Sequence, residues 1–154
     1  MNLKRSLFCG VFISAFFLVQ SAAFAEMVSI RGENVNMRSG PGTKYEVLWK
    51  IGQGFPLEVT QKSGTWYKVR DFEGSVGWVH QGVTTKEAHA VVQANKGTNR
   101  NINIRSTPST KGVIVATATY GVVFKVLSKK GGWVQVEHAN GVKGWIREDL
   151  LWGD

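Results

Sequence analysis

The chain has 154 residues, 19 Lys and Arg against 11 Asp and Glu, a formal charge of +8, six Trp and one Cys. That length is expected to fit two domains near the lower size limit for independent folding. The lone Cys9 excludes an internal disulfide framework. His80, His89 and His138 lie far apart, with no H-x-x-H or Cys/His spacing, so no metal site is expected.

In chain order, Lys4 and Arg5 precede an apolar run from Leu7 to Val19, and Ala23-Phe-Ala25 supplies the small residues that signal peptidase reads. A signal peptide over 1–25 is expected, with cleavage after Ala25 and a periplasmic or secreted product. The run is shorter than the ~20 residues a spanning helix needs, which disfavours the alternative of an uncleaved anchor. Cys9 does not end the apolar run, so lipidation is not expected, nor is membrane attachment after cleavage. Loss of Lys4 and Arg5 lowers the formal charge to +6 and leaves no cysteine. For an exported basic chain the expected partners are anionic envelope polymers or acidic proteins, not nucleic acid; the basic residues serve solubility equally well.

Beyond residue 25 no window shows helical periodicity. Short apolar-alternating runs separated by Gly, Pro, Ser and Asn predict strands over 27–31, 47–51, 56–61, 66–71 and 76–80. They recur over 90–93, 113–118, 123–128, 133–137 and 143–147. The recurrence is a duplication. Val35-Asn-Met-Arg-Ser-Gly-Pro-Gly-Thr-Lys44 returns as Ile102-Asn-Ile-Arg-Ser-Thr-Pro-Ser-Thr-Lys111, 67 positions later. The same shift carries Gly54, Gly64, Gly74 and Gly77-Trp-Val79 onto Gly121, Gly131, Gly141 and Gly144-Trp-Ile146 without a gap. A fixed internal period marks a repeated structural unit. The chain therefore reads as all-β: a small barrel over 26–81, a linker over 82–89 and a second barrel over 90–154, each of five to six short antiparallel strands. The turn glycines are expected at positive φ, and the short linker implies a fixed or semi-fixed pair.

The order Asn34-Val-Asn-Met-Arg-Ser-Gly-Pro-Gly-Thr43, a hydrophobic strand, Gly54, Gly64-Thr-Trp-Tyr-Lys-Val69 and Gly77-Trp-Val79 resembles the bacterial SH3-like (SH3b) domain. The second unit resembles it in the same frame, with Thr107 and Ser109 in place of Gly40 and Gly42. The resemblance implies five-to-six-stranded barrels that serve as non-catalytic targeting modules, often for peptidoglycan.

Candidate binding residues follow from strand alternation. With Val69 inward, Trp66 faces out; with Val134 and Val136 inward, so does Trp133. An outward aromatic offers a platform for a sugar face or a peptide, although loops folded over these rings would make them lids. Trp78 and Trp145 share the outward parity but are the more natural contributors to a small core. Trp49 has Ala116 as its equivalent, so the barrel does not require it, and a ligand contact or an interface between units would explain it. Arg38 and Arg105 either clamp a carboxylate or tie together carbonyls of their own loop, the second being the simpler reading.

Catalysis has no visible constellation. A cysteine nucleophile is absent after residue 25, no cofactor motif occurs, and the glycines lie in hairpin turns instead of strand-to-helix phosphate loops. The expectation is an exported binding protein for peptidoglycan. A module that binds another envelope protein, such as a hydrolase or sensor, is the alternative, and an enzyme with an unrecognised site is a third reading.

Overall fold

A computed structural model describes residues 26–153; the expected signal peptide over 1–25 lies outside them. The first unit contains β1 (Glu26–Ile30), β2 (Val35–Arg38), β3 (Val47–Ile51), β4 (Pro56–Ser63), β5 (Trp66–Arg70), β6 (Val76–His80) and β7 (Thr84–Thr85). The second contains β8 (His89–Val92), β9 (Ile102–Arg105), β10 (Ile114–Ala118), β11 (Val123–Lys130), β12 (Trp133–Glu137), β13 (Lys143–Arg147) and β14 (Leu151–Gly153). Each set forms one antiparallel sheet, ordered β3-β2-β6-β5-β4-β1-β7 and β10-β9-β13-β12-β11-β8-β14. Among the described residues no helix is long and apolar enough to cross a membrane.

The two sheets are the same topology twice. Alternation buries Leu57, Val59, Val69 and Val79 in the first core and Phe124, Val134, Val136 and Ile146 in the second. Full burial of each such side chain is worth about 1.5–3 kcal/mol. Register shifts fall at matching places, between Val59 and Gln61 and between Val126 and Ser128, where the long fourth strand of each unit bends. Closure of each barrel depends on a close crossing. A Cβ on Gly77 would stand 2.5 Å from Met37 Cγ, and one on Gly144 would stand 2.6 Å from Ile104 Cγ2, so only glycine lets these strands approach. The six turn glycines expected at positive φ all adopt it, from 57° at Gly64 and Gly131 to 91° at Gly141.

Three differences from the sequence reading have local causes. Val35–Arg38 and Ile102–Arg105, read as part of a motif loop, are strands; their polar residues face outward, which hid the alternation. The stretch 82–89 read as a linker contains the end of a 3-10 turn (Gln81–Val83) and β7, which pairs with β1, while His89 opens β8. Only Lys86–Ala88 thus lies between strands. With β7 and β14 counted, each sheet has seven strands, not five to six.

The units meet in an aromatic seam. Phe55 packs edge-on against Phe72 with ring centroids 5.9 Å apart, and Phe72 lies 5.2 Å from Tyr120 of the second unit. The Tyr120 hydroxyl donates to the Glu73 carboxylate, which also pairs with Lys96 at 3.1 Å. Gly54 backs onto His89, where a Cβ would stand 2.8 Å from the ring, whereas its equivalent Gly121 faces open space. The hydrogen bond from Tyr120, with that from Lys96, holds the Glu73 carboxyl below the ordinary glutamate range. A depressed folded value gives a contribution that is present above the unfolded value and lost as pH falls through the folded one. Acidification below the usual carboxylate range is therefore expected to loosen the seam before the barrels melt. Solution scattering at neutral and acidic pH would register this as a larger radius of gyration with β circular dichroism retained; an unchanged radius down to the melting pH would contradict it.

Candidate functional site

The residues singled out in the sequence separate into two places. On the outer face of the first sheet, Trp78 is directly opposite Arg38 on one side and Lys68 on the other, and Trp66 is opposite His80. Residues in register share a face, so Arg38, Trp78, Lys68, Trp66 and His80 form one aromatic and basic surface. Trp66 and His80 stand edge to face at 5.4 Å. In the second unit the row is Arg105, Trp145 and Gln135, and Trp133 is opposite Arg147, whose guanidinium forks onto Asp149 at 2.6 and 2.9 Å. All four tryptophans are half-buried, while their neighbours Gly77, Val79, Val134 and Ile146 are buried.

Arg38 and Arg105 have a structural assignment. Arg38 Nη1 donates to the carbonyls of Thr43 (3.0 Å) and Tyr45 (2.9 Å), and Arg105 Nη1 donates to that of Gly112 (2.8 Å), the residue equivalent to Tyr45. They hold the motif loop closed, as the simpler sequence reading has it. The loop also explains where the copies depart from each other. The Tyr45 ring covers the α-carbon of Gly40, while in the second unit Thr107 stands over Gly112, so bulk has moved from one side of the loop to the other.

Trp49 lies elsewhere. It is 56% exposed and lines a cleft of about 310 Å³ with Met37, Lys50, Ile51, Phe55 and Asp71. The 67-residue shift maps this cleft onto one of about 270 Å³ in the second unit, lined by Ile104, Ala116, Thr117, Ala118, Val122 and His138. The polar residue at the equivalent lining position, Asp71 or His138, keeps one role in both. Asp71 Oδ1 accepts from Glu73 N–H (2.9 Å) and Ser75 N–H (2.8 Å), and His138 Nδ1 accepts from Asn140 N–H (3.3 Å). Sequence reasoning missed Lys50, Asp71, His138 and Asn140; the shift pairs Asp71 with His138, but only the folded sheet brings them to a cleft. Each cleft is bordered by an edge strand with exposed apolar residues, Val47-Leu48-Trp49 in β3 or Ile114-Val115 in β10. Among the described residues no group of three His, Cys, Asp or Glu is placed to hold a metal ion.

The bacterial SH3 domain profile matches residues 31–86 and 98–153, one match per sheet. The chain belongs to the bacterial SH3 domain family. A Bacillus subtilis (strain 168) protein named "Putative N-acetylmuramoyl-L-alanine amidase YrvJ" is 29% identical over 145 residues, covering 85% of this chain and 27% of that protein. The chain thus spans about a quarter of that relative's length. Two solved structures are similar at lower identity: NlpC2 from Trichomonas vaginalis (14% identical, 86% of this chain and 49% of that one, TM-score 0.35) and an NlpC/P60 family protein from Bacillus cereus ATCC 10987 (16%, 83% and 56%, TM-score 0.37). In this tandem bacterial SH3 protein the family match covers both copies of the outer face and both clefts.

Proposed function

We propose that this tandem bacterial SH3 protein is exported and binds peptidoglycan without catalysing its cleavage. The observation that carries this reading is the outward tryptophan row repeated in register, Arg38–Trp78–Lys68 and Arg105–Trp145–Gln135. A half-buried outward ring suits stacking on a sugar or a peptide plane, and Lys68 beside Trp78 in the first unit adds a cation that attracts wall carboxylates. The related Bacillus subtilis protein is named for an amidase of N-acetylmuramoyl-L-alanine, which supports a wall ligand for the shared segment. A net positive charge adds a long-range attraction that salt screens. Purified sacculi stripped of protein should sediment the processed chain at low ionic strength, with binding that falls as salt rises. Protein left wholly in the supernatant would refute the proposal.

The open edges of β3 and β10 favour a second reading, a module for an envelope protein. An edge strand with exposed apolar side chains can pair with an extended segment of a partner. Failure with stripped sacculi together with retention on sacculi that keep their bound proteins would select this reading.

A further inference from the structure

The two clefts are equivalent in position and opposite in chemistry. The first carries Lys50 and Asp71 and is partly occupied by Trp49 and Phe55. In the second, the residues at those four positions are Thr117, His138, Ala116 and Val122, and no lining side chain carries a fixed charge. Its lining joins apolar Ile104, Val122 and Phe124 with polar Asn101, His138 and Asn140. The His138 ring stands edge-on to Phe124 at 5.5 Å, and because Nδ1 accepts from Asn140 N–H, the neutral ring carries its proton on Nε2. Asn101 uses its Nδ2 on Thr117 Oγ1 at 3.3 Å, which leaves its side-chain oxygen as an acceptor.

An apolar lining, an imidazole N–H donor and a carboxamide acceptor together suit an acetamide, with a methyl to bury, a carbonyl to receive a hydrogen bond and an N–H to give one. A carboxylate or an ammonium would enter this space without a counter-charge, and burying an unpaired charge is costly. The charged first cleft selects the opposite way.

We propose that the second-unit cleft is a subsite for the acetamido group of an N-acetylated amino sugar and that the first-unit cleft is not. This rests on a wall glycan being the ligand, but the two ideas fail separately: sacculus sedimentation tests wall binding, and a soluble oligosaccharide tests the cleft.

The experiment is a titration of the ¹⁵N-labelled protein, as recovered from cells, with tri-N-acetylchitotriose and, in parallel, with the glucosamine trimer that lacks the acetyl groups. The acetylated sugar should shift the amides of 116–122 and 138–142 in a saturable way, leave those of 49–55 and 71–75 in place, and outbind the deacetylated trimer at least tenfold. Ala116→Trp and, separately, Val122→Phe each install the residue that the first unit uses at the same place. Either should weaken the sugar at least tenfold while the spectrum outside the cleft stays dispersed and unshifted; the second variant serves if the first fails to fold. No saturable shift at millimolar chitotriose, equal shifts in both clefts, equal response to both trimers, or undiminished binding by a folded cleft-filling variant would each overturn the assignment.

Discussion

Replacing Phe124 by Ala is expected to unfold the second barrel while the first stays folded. The ring is 2% exposed and is the largest fully buried side chain among the described residues. It packs with Ala90, Ile104, Val134, Val136 and Ile146, so truncation removes both its transfer free energy and the contacts of the cavity lining. Phe→Ala changes in cores cost about 3–5 kcal/mol, and a domain of this size has a total stability of roughly 3–10 kcal/mol. Urea melts followed through resolved amides of each unit would read the effect separately. The first unit has its own core around Leu57, Val69 and Val79 and should retain its midpoint. A loss below about 1.5 kcal/mol in the second unit would mean that the barrel collapses around the gap instead of leaving it empty.

The second large effect tests the exchange of bulk in the motif loop. Gly40→Thr places a side chain where the Tyr45 ring lies. The ring is clasped by its own backbone, since the Tyr45 carbonyl accepts from Arg38 and its N–H donates to the Gly42 carbonyl at 3.2 Å. Overpacking of this kind costs about 1–3 kcal/mol. The second unit holds the compensated pair, Thr107 with Gly112, and there a Cβ on Gly112 would meet Thr107 Oγ1 at 2.5 Å. Adding Tyr45→Gly to Gly40→Thr should therefore recover stability relative to Gly40→Thr alone, giving a coupling of at least ~1 kcal/mol in a double-mutant cycle. Additive losses would show that the two loops are not interchangeable and that their sequence difference has another origin.

Much of the framework is legible before any coordinates. The in-frame glycines at 54, 64 and 74 and at 121, 131 and 141 mark turns, and the parity of Val69, Val134 and Val136 puts the right residues inside. What is not legible depends on long-range closure. Asn36 and Arg38 interrupt the apolar pattern of β2, which is a strand because β3 and β6 pair with its two edges. Thr84–Thr85 carries no signal of its own and becomes strand through two register partners on β1. The same holds for the sites. Trp66 and Trp78 can be placed on one face by alternation alone, yet the clefts join residues from the third strand to a turn some twenty positions further along the chain. Trp49 and Ala116 stand out as unequal in the sequence; that the inequality belongs to a pair of clefts emerges only from their shared lining.

The central claim is that the outer tryptophan faces hold the wall, and co-sedimentation of face variants with protein-stripped sacculi tests it most directly. Three proteins are needed: the unaltered chain, the Trp66→Ala/Trp133→Ala double variant, and Lys68→Glu, which reverses a charge beside Trp78 without emptying space in the core. Far-ultraviolet circular dichroism and the melting midpoint of each confirm that the barrels persist. The account predicts that the unaltered chain sediments, that the double variant loses at least tenfold in affinity, and that Lys68→Glu loses several-fold at low salt with a smaller difference at high salt. Folded variants that sediment as fully as the unaltered chain would contradict it.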